Sequence, residues 1–152
     1  MPFTGSYVCT SFYTDLLTGT IHTGTHQFKL ALYTNAATLN ASTTGYTISG
    51  EVASGGGYST KGVIVNATVT TTNTTNGPVV ILDFSDAVWT TPTFTARGGL
   101  LYDETAGGDP SIAVIDFGLD ITGNGVNNFT VSFPPPTANA GFLVIKTVLN
   151  NL

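Results

Sequence analysis

The stretch Phe94–Phe117, FTARGGLLYDETAGGDPSIAVIDF, constrains the fold more than any other. Two apolar runs, Phe94–Tyr102 and Ser111–Phe117, flank a segment rich in Gly, Asp and Pro, the pattern of a β-hairpin with a long loop. Pairing symmetric about Asp103–Pro110 sets Leu101 opposite Ile112 and Arg97 opposite Asp116. On the other face it sets Leu100 against Ala113, Gly98 against Ile115 and Ala96 against Phe117. Large residues then meet small ones, as close packing favours. Both faces are largely apolar, so the hairpin is expected at the centre of a sheet covered on both sides. Arg97, the chain's only arginine, is expected to pair with Asp116 across this hairpin. A bulge at Gly98–Gly99 would shift the register by one and bring Asp83 or Asp103 into play as partners.

A chain of 152 residues can bury a sizeable core and is most simply read as one domain. Strand-like runs recur along it with turn signals between them. Phe28–Tyr33 alternates, Tyr46–Val52 reads as a short strand, and Val63–Thr71 turns at Asn73–Gly77 into Val79–Phe84. Ala87–Trp89 leads into the central hairpin, Asp120–Asn128 is a turn, and Phe129–Phe133 and Phe142–Leu149 are further strands. One helix stands apart from this pattern, Ser11–Gly19, with Ser11 as its cap, Phe12 and Leu16 on one face and Gly19 at its C-terminal end. The expected fold is all-β, an antiparallel β-sandwich of about eight strands over residues 11–152 with one short N-terminal helix. Residues 1–10 have no pattern of their own and read as an arm that orders against a partner.

Charge narrows the functional classes. Asp, Glu, Lys and Arg make up 9% of the residues, against roughly 25% in an ordinary soluble domain. The net charge is −5, and Lys29, Lys61, Arg97 and Lys146 are the only cations. Four scattered cations form no basic stripe, so no nucleic-acid partner is expected. With no apolar run long enough to span a bilayer and no leader-like start, no membrane partner and no export are expected either. Cys9 is the single cysteine and has no intrachain disulfide partner. So little charge gives weak protection against association, which suits a subunit whose surface is shared with neighbours, including copies of itself.

No constellation points to catalysis or a cofactor. His22 and His26 in HTGTH would make a metal pair on a helix. Gly24 and the surrounding threonines argue against helix, and on a strand the rings would stand about 13 Å apart. Asp120–Gly125 imitates the start of a calcium loop, but Val131 occupies the position that needs a bidentate glutamate. Asp103, Glu104 and Asp109 read as a solvated acidic loop. There is no GxSxG and no phosphate-loop lysine after the glycines of residues 54–57. No metal, no cofactor and no enzymatic activity are therefore expected.

The ordered segments SFYTDLLTG, FKLALYTNAATLNASTTGYT, GEV, GYSTKGV, DFSDAVWTTPTFTARGGLLY, AVIDFG and FTVSFP resemble a family of small tailed-bacteriophage virion proteins. In that family a short helix precedes an FKIALYT strand, an ARGALIY-type strand and an AVAVLDFG strand. The likeness runs from Ser11 to Ile145; HTGTH, the glycines at 55–57 and the ending KTVLNNL depart from it. It implies a virion location and a structural role, with capsid or other virion proteins as partners. Capsid decoration or cement is the first reading, a neck or tail component the second. A sugar-binding module, with Tyr58, Trp89 and Tyr102 as a stacking face, is a third. Phe3 and Tyr7 are expected against a neighbouring chain, with Val148, Leu149 and Leu152 doing the same at the other end.

Overall fold

A computed structural model of the chain describes residues 3–146. The fold is all-β and sandwich-like, with one short helix. In chain order the elements are β1 (Tyr7–Val8), α1 (Thr10–Thr18), β2 (Phe28–Tyr33), β3 (Val63–Val65), β4 (Ala67–Thr74) and β5 (Gly77–Phe84). There follow β6 (Ala87–Trp89), β7 (Thr95–Asp103), β8 (Ser111–Thr122), β9 (Phe129–Val131) and β10 (Leu143–Lys146). Five strands form one sheet in the order β1-β8-β7-β2-β3, three form β10-β5-β4, and β6 pairs with β9. Every pairing is antiparallel.

The hairpin β7–β8 supplies the middle of the large sheet, and both of its faces are covered. Alternation along β2 explains why. Phe28, Leu30 and Leu32 enter one buried cluster with Leu101, Ile112, Trp89 and Phe84, while Ala31 and Tyr33 enter a second with Leu100, Tyr102 and Val114. A fully buried side chain of this size contributes roughly 1.5–3 kcal/mol, so two cores on one sheet explain how a chain with so few charges holds its shape. Phe84 packs edge-on against Phe28 and Phe142, which ties the three-stranded sheet to the large one.

The register differs from the symmetric one. Tyr102 pairs with Ser111, but a shift after it puts Leu101 opposite Ala113 and Leu100 opposite Val114. Gly98 then faces Asp116, and the next pair is Ala96 with Ile121, so Arg97 on one strand stands against Phe117–Asp120 on the other. Packing decides this. A side chain at Gly98 would run into the Phe3 ring and the Ile115 carbonyl, and one at Gly99 would crowd Leu30. The two glycines leave room for large residues on opposite faces, and β8 absorbs the mismatch as an irregularity with Gly118 at φ +79°.

The N-terminal residues correct the arm expectation. Tyr7 and Val8 add a strand to the edge of β8, opposite Val114 and Ala113. Phe3 is 3% exposed and packs in the second core with Cys9, which is wholly buried. Phe3 therefore serves its own chain, not a neighbour. The helix start is corrected too. Cys9, not Ser11, is the cap residue, and it makes no side-chain cap bond. Backbone pairing sets the start instead, because Cys9 N–H donates to the Ile112 carbonyl and Thr10 N–H to that of Ala41. Ser11 Oγ is buried with no partner among the described residues. Gly19 does close the helix in the left-handed conformation, at φ +78°.

Smaller differences have local causes. Tyr46–Val52 is not a strand; single bridges at Gly45 and Glu51 tether it. Gly50, at φ +80°, turns the chain there and lies so close to Ala37 that no larger residue fits. The strand expected over Val63–Thr71 divides at Asn66, so that β3 joins the large sheet and β4 the small one. Asp120–Thr122, read as turn, continue β8.

Candidate functional site

The densest polar constellation is built around Glu51. Its carboxylate accepts from Tyr58 Oη at 2.6 Å, Tyr46 Oη at 2.5 Å and the Lys61 backbone N–H at 2.6 Å. Tyr58 Oη in turn accepts from Leu32 N–H on β2, and Tyr102 Oη on β7 donates to the Lys61 carbonyl. Tyr33 Oη donates to the Thr47 carbonyl. These phenols are held far above the ordinary tyrosine range. Burial is the main cause in each case, reinforced by Glu51 at Tyr33, Tyr46 and Tyr58 and by Glu104 at Tyr102. The donors and acceptors satisfy one another, so this network braces the segment 45–62 against β2 and β7.

The loop Asp103–Pro110 is not a solvated acidic loop. Asp103 is fully buried, accepts N–H bonds from Thr105 and Ala106, and meets His26 Nδ1 at 2.5 Å. Glu104 takes Lys29 Nζ at 2.7 Å, and Asp109 takes Lys61 Nζ at 3.1 Å. Lys61 Nζ also lies 3.9 Å from Glu104, so Glu104 and Asp109 share that ammonium while Asp103 faces His26. The histidine link also differs from expectation. His26 N–H bonds to the His22 carbonyl, a single helical turn that brings the two ring centroids to 5.0 Å. His26 is drawn to Asp103, and among the described residues no group of three His, Cys, Asp or Glu side chains is placed to hold a metal ion. Asn124 Oδ1 accepts from Val126 and Asn127 N–H, an Asx-type turn, and Asp120 accepts from Asn35.

Arg97 Nε lies 3.1 Å from Asp116 Oδ1. The shifted register does not set them directly opposite; the irregularity in β8 lets the guanidinium reach sideways. Asp83 and Asp103 are not its partners. Asp116 Oδ1 also accepts from Gly118 N–H, so the same oxygen stabilises the irregular stretch. With 26% of the Arg97 side chain and 11% of the Asp116 side chain exposed, the pair lies between the surface and buried limits. Arg97→Ala is expected to lower stability by about 1 kcal/mol, read as a shift of the urea midpoint with unchanged slope. A loss above about 3 kcal/mol would place Asp116 in a far drier setting than its contacts describe.

The apolar surface lies elsewhere. Ile115, Phe117 and Ile121 of β8 and Phe129 and Val131 of β9, with Asn128, Thr130 and Ser132, line an open groove of about 470 Å³ that carries no charged residue. Leu119, between Phe117 and Ile121, is 60% exposed, and Val126, three residues before Phe129, is 73% exposed. Sequence reading placed the anchors at the chain ends instead. Tyr7 is partly exposed, with its hydroxyl turned back to the Thr4 carbonyl, while Val148, Leu149 and Leu152 lie outside the described residues. The groove could have been found only from the register shift, which leaves Phe117–Asp120 of β8 without ladder partners. Tyr58, Trp89 and Tyr102 are all buried and offer no stacking face. No protein-family model, curated protein or solved structure matches the chain.

Proposed function

We propose that the protein is a non-catalytic structural component of a bacteriophage virion, docking on the assembled capsid as a decoration or cement protein. The observation that carries the reading is the uncharged, mainly apolar groove between β8 and β9. Large side chains at the centre of a contact, such as Phe117 and Phe129 here, supply most of its binding energy, and a groove without charge spares closure the cost of stripping water from an ion. The sequence likeness to small virion proteins supplies the partner. A neck or tail location is the second reading, favoured by the same likeness.

Purified protein added to shells lacking it is the direct test. Wild type is expected to co-sediment, whereas Asn128→Lys/Thr130→Lys, which sets two charges on exposed lining positions of the groove, is expected to bind at least about tenfold more weakly with an unchanged melting temperature. Equal binding by the double variant would remove the groove from the docking surface. Copy number in purified virions separates the locations, since a shell-wide lattice carries hundreds of copies and a neck or tail ring about a dozen or small multiples of it.

A further inference from the structure

Sheet edges are the other surface at which this chain can meet a neighbour. An exposed strand edge presents a row of unpaired N–H and C=O groups, and proteins that stay apart blunt such edges by keeping them short, charged, bulged or interrupted by proline. Most edges here follow that rule among the described residues. β1 spans two residues, β3, β6 and β9 three each, and β10 four.

β4 does not. It spans eight residues at the end of the sheet β10-β5-β4, paired with β5 alone. Its sequence, ATVTTTNT, has no charge and no proline, and its ladder runs without a bulge from Ala67↔Phe84 to Thr74↔Gly77. The central residues Thr68–Thr71 are exposed, so both faces of the strand are open, and among the described residues β5 is the only strand paired with it.

We propose that β4 is a homotypic pairing edge: two copies of this chain join β4 to β4 antiparallel about a two-fold axis near Thr70–Thr71. The two three-stranded sheets then become one of six strands. A second copy is the occupant because the strand complements itself. In an antiparallel pair centred there, threonine meets threonine, a favourable cross-strand contact, and no charge opposes its own image. That matters for a chain of net charge −5, whose copies otherwise repel. Val69, half exposed in the single chain, gains cover. This deepens the oligomeric side of the virion reading, yet it is tested on the purified full chain with no particle present, so the two can fail separately.

Sedimentation is expected to give a dimer mass for wild type and a monomer mass for Thr70→Lys/Thr71→Lys, with the same melting temperature. In parallel, single cysteines at Thr70, Thr71 or Thr72 are oxidised; the one nearest the axis is expected to yield a covalent dimer. Wild type, whose Cys9 is wholly buried, is expected to yield none. The proposal stands only if the lysines dissolve the dimer and one of the three cysteines cross-links it. A monomeric wild type, an association indifferent to the lysines, or three uncross-linked variants each overturns it, including the case in which β4 takes a strand from a different virion protein.

Discussion

Raising the pH from about 9 to about 11 is expected to remove about 4 kcal/mol of stability, enough to unfold a domain of ordinary marginal stability. Three phenols carry this. Tyr33 and Tyr102 are wholly buried and Tyr58 is 3% exposed. Burial pushes each far above its unfolded range, with Glu51 reinforcing Tyr33 and Tyr58 and Glu104 reinforcing Tyr102. The folded pKa is raised, so the stabilising contribution is complete below the unfolded value near 10 and is lost as pH climbs past it. Over this interval the unfolded chain releases a proton from each tyrosine while the folded chain keeps it, at about 1.4 kcal/mol per group. Tyr46, raised by burial and by its bond to Glu51, is left out of the sum because it is partly exposed. The melting temperature should fall steeply above pH 10, and phenolate absorbance near 295 nm should appear in step with unfolding. A Tyr102→Phe variant should show a fall smaller by about a third. A melting temperature that stays level to pH 11 would mean that these hydroxyls reach water.

Much of the fold could be read from the chain, because the residues that decide it act locally. FKLALY alternates, and β2 forms where it does. The two apolar runs around DETAGGDP pair, and their two apolar faces place β7 and β8 mid-sheet. Gly19 ends the helix. What sequence alone left hidden depends on distant residues. The register slipped because Phe3, some ninety-five positions before Gly98, fills the space over that glycine. Phe3 therefore looked like a free anchor when it is a core residue.

The polar centre was hidden for the same reason. Glu51 collects Tyr46, Tyr58 and the Lys61 backbone from one loop and braces them against Leu32, while Tyr102 reaches in from the hairpin. No spacing rule links those positions. His26 shows the reverse case. Thr-Gly-Thr between the histidines discouraged a helical reading, but one isolated turn needs no helix propensity when Asp103 waits at its end. The β8–β9 groove became visible only once the irregular pairing of β8 was known.

Gly62→Ala is expected to cost about 4 kcal/mol, by two effects that add. Gly62 has φ +75° directly after Lys61 at φ +74°, and a residue with a Cβ pays roughly 1–2 kcal/mol in this left-handed region. The added carbon would also run into the Leu30 carbonyl oxygen and stand 2.7 Å from Ala31 Cα. Overpacking of this kind typically costs about 1–3 kcal/mol and here falls at the top of that range, since the obstacle is backbone. Leu30 cannot retreat, because it is paired with Val63 on one side and Leu101 on the other, in the middle of the large sheet. Gly62 cannot retreat either, because its N–H is bonded to the Ser59 carbonyl and the preceding Lys61 is bound to Glu51 through its backbone and to Asp109 through its ammonium. Gly107→Ala is the matching control: nothing lies within 4 Å of its added carbon, and it should change stability by less than about 0.5 kcal/mol. Urea unfolding of the two variants beside wild type decides the matter. Should Gly62→Ala unfold at the same midpoint as Gly107→Ala, the close approach of this loop to β2 would be wrong, and the Glu51 brace built on that loop would fall with it.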